Sequence, residues 1–470
     1  MNQAPRAGRA LLWLVALGVF MQMLDSTIVN TALPAMAKDL EESPLRMQSV
    51  VIAYALTMAM LIPASGWLAD RFGTRRVFFA AIVLFTFGSL LCGISRSLGE
   101  IVSARVLQGV GGAMLLPVGR LAVLRSYPRG EFLRAMSFVT LPGLIGPLIG
   151  PTLGGWLVQA ISWHWIFLIN LPVGAIAAVA ALRFMPDARA EVARFDLGGY
   201  LMLSFSMVAI SLSLDGLSEF GLRRALVLVL LMFGLASLVA YWLHAARSPR
   251  PLFTLALFGV PTFRVGLLGN LFSRIGSGSM PLLIPLLLQV SLGYAPMQAG
   301  LMMIPVALAG MVSKRAVVSL VKSFGYRRVL LVNTILVGLA IASFALISAE
   351  QPMWLRLVQL SCFGLVNSLQ FTAMNTVTLR DLEGELASAG NSLLSMVMML
   401  SMSLGVAAAS GLLAAFAALF GSERGAATLP AFHATFVCVG MVTAASAWIF
   451  WQLESESKPE PATAQVDASK

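Results

Sequence analysis

The sequence predicts an all-α membrane protein with about fourteen transmembrane helices, each span needing about 20 mostly apolar residues. Three observations predict it. Of the 470 residues, 58% are hydrophobic and only 11% charged, against roughly 25% charged in a soluble domain. Mean hydropathy is +0.86, and the apolar residues gather in runs of bilayer length. The remaining charges fall in short clusters between those runs. So few charges cannot cover a water-facing surface, so the solvent of this chain is lipid.

In chain order, spans are expected near 10–33, 48–69, 77–95, 99–122, 136–160 and 165–185. Two closely linked spans follow near 197–215 and 225–245. Six more lie near 263–290, 297–320, 328–348, 354–378, 387–419 and 430–452. The first is too long for a signal-peptide core and holds Asp25 and Asn30, which predicts an uncleaved span. The segment 454–470 is polar and is expected to be a disordered tail. With both ends cytoplasmic, segments on that side hold about 23 of the 32 lysines and arginines, as the positive-inside rule requires. The same clustering explains the net charge of +11 without nucleic acid. Cys92, Cys362 and Cys438 are scattered in apolar runs with no metal or disulfide spacing.

A faint repeat divides the chain. Phe72-Gly73-Thr74-Arg75-Arg76-Val77 resembles Phe324-Gly325-Tyr326-Arg327-Arg328-Val329, and Arg105-Val106-Leu107-Gln108 resembles Arg356-Leu357-Val358-Gln359. The offsets from glycine to arginine are 32 and 31 residues. This predicts a six-span bundle over 1–190, two additional spans over 191–250 and a second six-span bundle over 251–453. A substrate site is expected near the midplane between such halves.

Asp25 sits midway along the first span. A charge at that depth costs at least about 2.5–3.5 kcal/mol on insertion scales, which makes it a functional candidate by default. It is either a proton-coupling or substrate-contacting carboxylate, or a packing aspartate bonded to hydroxyls such as Ser26. Arg105 in the fourth span stays charged whatever surrounds it. It is either the fixed charge beside Asp25 or an anchor snorkelling to the interface. Gln108 lies one turn later on the same face and is a candidate to line the substrate cavity. Arg274 lies deep in its span, on one face with Asn270, and is expected to face a cavity. Gln22, Asn30, Asn367, Gln370 and Asn391 are further lining candidates. His164, His244 and His433 fall near span ends and are read as interfacial. Met396, Met398, Met399 and Met402 crowd one late span and offer an adaptable wall or simply fill gaps.

Two loop and helix motifs complete the pattern. Gly66 to Arg76 is a tight hairpin carrying Asp70, Arg71, Gly73, Arg75 and Arg76. Gly143, Gly146, Pro147, Gly150, Pro151, Gly154 and Gly155 open the fifth span. The glycines recur every three to four residues, a smooth stripe that allows close helix approach, and the prolines bend the helix.

The hairpin, the segment Arg105–Gly112 and the stripe Gly143–Gly155 resemble, in order, three signatures of drug:proton antiporters in the major facilitator superfamily. Leu24–Pro34 resembles the first-span signature of its drug-exporting branches. Trp163–Pro172 resembles the span junction of the fourteen-span EmrB/QacA branch, with His164 where that branch usually has arginine. The resemblance implies a charge network at the cytoplasmic face that steadies one conformation, in which Asp70 takes its basic neighbours Arg71, Arg75 and Arg76 as partners. It also associates the Gly-Pro stripe with exchangers rather than uniporters.

The expected function is therefore proton-coupled export of small molecules by alternating access, of the multidrug type, from a bacterial inner membrane. Asp25 is the protonation site, Arg105 its tuning partner and Asp70 the lock. The deep charges Asp25, Arg105 and Arg274 sum to about +1, which points alternatively to an organic anion or a metal–carboxylate chelate as cargo. No Walker-type phosphate loop is present in the sequence, and neither a metal nor another cofactor is expected. The protein is expected to act as a monomer. A channel would need a ring-forming filter repeat, and a membrane enzyme a deep nucleophile or paired acids; neither pattern stands out.

Overall fold

The computed structural model describes residues 6–189, 195–216, 224–420 and 429–453. The tail at 454–470 lies outside the described residues. Six helices come first: α1 Arg6–Asp39, α2 Gln48–Phe72, α3 Thr74–Ile94, α4 Leu98–Ser126, α5 Arg129–Ala160 and α6 Trp165–Phe184. Next come α7 Leu197–Gly216 and α8 Arg224–Arg247. Then follow α9 Pro261–Leu286, α10 (296–324), α11 (326–346), α12 Met353–Leu379, α13 Gly384–Leu419 and α14 Leu429–Phe450. Thirteen described helices are long and apolar enough to cross a membrane; the 32-residue α5 is a further helix outside that count. Several run past the expected spans, because helical hydrogen bonding continues beyond the apolar stretch that periodicity detects.

The two hairpin glycines behave alike. Gly73 has φ 93° and Gly325 has φ 76°, a region that costs other residues and suits glycine. Gly73 ends α2 and starts α3 with no loop between. Gly325 makes the same reversal between α10 and α11, where helical hydrogen bonding continues around the bend. Ser97 caps α4 by accepting a hydrogen bond from the Glu100 N–H at 3.3 Å.

One apolar core joins α1 to α6, around Phe78, Phe85, Leu115 and Val118. Another joins α9 to α14, around Phe344, Phe363, Phe432 and Phe436. Between them, Val50 and Val51 of α2 meet Val406 and Ala407 of α13. The groups also close on the side away from the termini. A Cβ on Gly155 or on Gly300 would run into the backbone of Pro296 or of Pro151 respectively. Thr152 donates to the Gly300 carbonyl at 3.2 Å. Gln289, in a π-turn that follows Pro281 and Pro285, donates to the Thr31 carbonyl at 3.1 Å.

The additional pair α7–α8 packs beside the α2–α13 seam, with Leu203, Met207 and Tyr241 against Leu56, Leu393 and Leu394. Asp196 pins it. Its carboxylate accepts from Gly199 N–H at 2.9 Å, Leu252 N–H at 3.0 Å and the His244 ring at 2.7 Å. Burial pushes this carboxyl up, but those hydrogen bonds and the His244 charge outweigh it and hold the group below its ordinary value. The pin therefore holds above the usual aspartate range and is lost as pH falls through the lowered pKa. His244, read as interfacial, is the partner that ties α8 to the start of α7.

Candidate functional site

The glycine stripe of α5 sets the position of α1. A Cβ on Gly146 would lie 2.8 Å from the Leu24 nitrogen, and one on Gly154 would lie 2.6 Å from the Ile28 carbonyl oxygen. Gly143 and Gly150 face Val19 and Thr27 in the same groove, whereas Gly155 faces Pro296. Pro147 is exposed, while Pro151 is buried and presents its carbonyl to Gly300. With backbone this close to α5, the opposite side of α1 turns Asp25 towards α4.

Asp25 is 0% exposed and Arg105 1%. Arg105 Nη1 donates to Asp25 Oδ2 at 2.5 Å and to Gln108 Oε1 at 2.7 Å. Arg105 Nε donates to the Val50 carbonyl at 3.2 Å. Gln108 Nε2 donates to Asp25 Oδ1 and to Ser89 Oγ, each at 2.7 Å. Asn170 Nδ2 reaches Asp25 Oδ1 at 3.3 Å and Ser89 Oγ at 3.2 Å. The Tyr54 ring lies 4.1 Å from the guanidinium carbon, in cation–π range. Both carboxylate oxygens are thus satisfied by donors from α4 and α6. Asp25 does not bond Ser26, whose hydroxyl goes to the Met23 carbonyl, and Arg105 does not snorkel.

Four members of this cluster escaped the sequence reading as site residues: Tyr54, Ser89, Asn170 and the Val50 carbonyl. Ser89 is adjacent to Gly88, over which the Gln108 backbone would be 2.7 Å from a Cβ. Only that α3–α4 approach identifies it. Gln108, expected on a cavity wall, is instead drawn into the carboxylate cluster by the same close packing. The repeat counterpart Arg356 has no acidic partner among the described residues. Its guanidinium binds Tyr294 Oη at 2.5 Å and the carbonyls of Ser348, Ala349 and Gln351 at 2.7 to 3.0 Å.

At the hairpin, Asp70 pairs with Arg125 at the end of α4. This corrects the expectation that Arg71, Arg75 and Arg76 supply its partners. Arg71 instead stacks near the Trp67 ring at 5.2 Å, Arg75 Nε donates to the Met185 carbonyl at 2.6 Å, and Arg76 is exposed. Helix geometry explains it: Arg75 and Arg76 lie past the reversal at Gly73, and Arg75 turns to the segment after α6. There, buried Thr74 donates to the Pro186 carbonyl at 2.6 Å and accepts from Ala188 N–H at 3.2 Å. Asp187 crosses directly over Gly73, so a side chain there would collide. Thr74→Val removes both bonds and leaves a donor unpaired, a loss of about 1–3 kcal/mol. Faster amide hydrogen exchange at 185–189 is the expected result.

The cavity that contains expected lining residues lies within the second group. It has a volume of about 190 Å³ and takes its walls from α9, α12 and α13. Arg274, Asn367 and Gln370 all line it. Asn270 is buried beneath, bonding the Gly266 carbonyl at 3.0 Å and Thr378 Oγ1 at 3.3 Å while accepting from Arg274 Nε at 3.0 Å. Asn391 is half-buried on α13 and outside this wall. Gln22 and Asn30 are buried on α1, also outside it. Gln22 Nε2 lies 4.0 Å from Met58 Sδ, Asn30 Nδ2 bonds the Ser26 and Thr27 carbonyls, and the amide oxygen of each has no partner. Among the described residues, no group of three or more His, Cys, Asp or Glu could hold a metal ion.

His164 stacks on Trp163 at 3.7 Å. Partial burial pushes its pKa down, and Asp39 opposes that. Trp163 in turn donates to Asp39 at 2.8 Å.

Comparison with known proteins agrees with this architecture. The Major Facilitator Superfamily profile matches residues 15–406. The "Putative multidrug resistance protein MdtD" of Serratia proteamaculans is 51% identical over 450 residues, covering 95% of this chain and 94% of its own. The protein of that name from Salmonella heidelberg is 51% identical, covering 97% of each. Among solved structures, a POT family transporter in complex with 5-aminolevulinic acid superposes with TM-score 0.68 at 17% identity, over 95% of each chain. The nucleoside transporter NupG gives TM-score 0.63 at 11% identity, over 94% of this chain and 98% of its own. These last two bear on the fold alone. The chain is a multi-pass membrane transporter and belongs to the Major Facilitator Superfamily.

Proposed function

We propose that this protein is a proton-coupled antiporter that exports small molecules across a bacterial inner membrane by alternating access, with the multidrug character named for its relatives. The observation that carries the reading is the sealed Asp25–Arg105 pair, a titratable group held against a permanent cation at membrane depth. With Asp25 ionised, Arg105 is neutralised and α1 is tied to α4. When Asp25 takes up a proton, that tie weakens. Arg105 then keeps Gln108, the Val50 carbonyl and the Tyr54 ring. The loss of one charge-assisted bond frees α1 to move along the smooth face of α5. Asp70 and Arg125 would hold the hairpin side together during that movement.

Proton entry supplies about 2.3 kcal/mol per charge per 100 mV, beside the pH term. In reconstituted vesicles, Asp25→Asn is expected to abolish exchange driven by a pH gradient. Gradient-free counterflow of the same solute should persist and report a folded carrier. Undiminished gradient-driven exchange by Asp25→Asn would remove this carboxylate from coupling.

A second reading, export of an organic anion or of a metal–carboxylate chelate, is favoured by Arg274. It lines the cavity with no acid among the described lining residues.

A further inference from the structure

The two deep arginines differ in one respect. Arg105 has its carboxylate, whereas Arg274 has none among the described residues. Arg274 lies in the middle of α9, and its only described polar contact is through Nε, to Asn270 Oδ1 at 3.0 Å. Its Nη2 is buried with no hydrogen-bond partner. The guanidinium carbon lies 4.3 Å from the Phe371 ring centroid. Asn270 and Phe371 thus fix the orientation of the guanidinium while leaving its far edge without a counter-charge.

A buried cation without its anion is costly, by several kcal/mol even after relaxation. A structural arginine would be expected to collect carbonyls, as Arg356 does with three. Arg274 collects none among its described contacts. Its surroundings are also two-sided. Asn367 and Gln370 share the lining with the cation, while Met374, Met398, Met399 and Met402 supply the apolar wall. Thioether side chains adapt to varied apolar shapes and contact aromatic rings favourably. A dry apolar cavity of about 150 Å³ is large enough to hold a benzene ring, and this one is about 190 Å³.

We propose that Arg274 and this methionine wall form a binding site for an amphiphilic organic anion. A single carboxylate or sulfonate pairs with the guanidinium, and an aromatic or similar apolar body lies among the methionines. The inference rests on the exporter reading for its purpose, but not for its test. A hydrophilic polyanion would leave the methionine wall unmatched, and a lipophilic cation would meet Arg274 with the wrong sign.

The test is equilibrium binding to the full-length protein in lipid nanodiscs with no gradient, using 2-naphthoate, 2-naphthylmethanol, 2-naphthylmethylammonium and succinate as probes. 2-Naphthoate is expected to bind tightest of the four. Arg274→Gln should weaken it by about tenfold or more, equivalent to about 1.4 kcal/mol, and leave 2-naphthylmethanol unchanged. Arg274→Lys should recover part of the loss. Met398→Ser, which leaves the cation in place, should weaken 2-naphthoate and 2-naphthylmethanol together. Retained 2-naphthylmethanol binding reports a folded site in each arginine variant. Wild-type affinity of Arg274→Gln for 2-naphthoate overturns the proposal, as does tighter binding of succinate or of the ammonium probe. Because no gradient is applied, a failure of proton coupling leaves this result intact, and the two readings fail separately.

Discussion

Arg105→Met is expected to destabilise the protein by about 3–5 kcal/mol, because it leaves the fully buried Asp25 carboxylate without its cation. The remaining donors, Gln108 and Asn170, reach only one carboxylate oxygen. The double variant Asp25→Asn with Arg105→Met removes both charges and should recover most of that stability. It should recover none of the gradient-driven exchange. Thermal unfolding in detergent measures the first quantity and vesicle flux the second. A buried pair retained for stability alone would behave differently: the double variant would be both stable and active. Equal stability of Arg105→Met and the unmodified protein would show that the pair is not the electrostatic unit described above.

The second large effect is expected at the stripe. Gly154→Val places a branched side chain where even a Cβ would be 2.6 Å from the Ile28 carbonyl oxygen and from Thr31 Oγ1. Backbone cannot yield as a flexible side-chain tip can, so α1 must move away from α5. Overpacking of this kind costs about 1–3 kcal/mol. The displacement also disturbs the geometry of Asp25, six residues before Thr31 on the same helix. Exchange should fall by more than the loss of folded protein explains. Gly66→Ala is the control, since nothing lies within 4 Å of its added Cβ. It should leave both stability and flux near those of the unmodified protein.

Helix number and order were legible because they depend on local composition. A run of apolar residues must be helical in lipid, where every backbone polar group needs an internal partner. The hairpin glycine at 73 and its echo at 325 were legible for a related reason, since a reversal without a loop requires positive φ. The pairing of Asp25 with Arg105 could be anticipated as a possibility, because deep charges of opposite sign seek each other. Its alternatives could not be dismissed, because a spacing of 80 residues carries no local signal.

Partners across helices were much less accessible. Asp70 has three arginines within six residues of sequence, and yet its partner is Arg125, 55 residues away. Sequence proximity misleads there because Arg71 turns to Trp67 on its own helix, while α3, which carries Arg75 and Arg76, diverges from α2 at once after Gly73. For Gln108 the sequence likewise predicts a cavity wall, because it shows which helical face the residue occupies but not what that face meets.

By itself the sequence determined that this is a many-span helical transporter with one deep acid, two deep arginines and a glycine-lined fifth helix. Residue chemistry and periodicity suffice for that, because lipid penalises unpaired backbone and isolated charge wherever they occur. Only the tertiary structure decided which arginine the acid neutralises and which is left without a counter-charge beside a methionine-lined cavity. That outcome depends on how closely whole helices approach one another, and the backbone contacts made by glycines 88, 146 and 154 set those approaches.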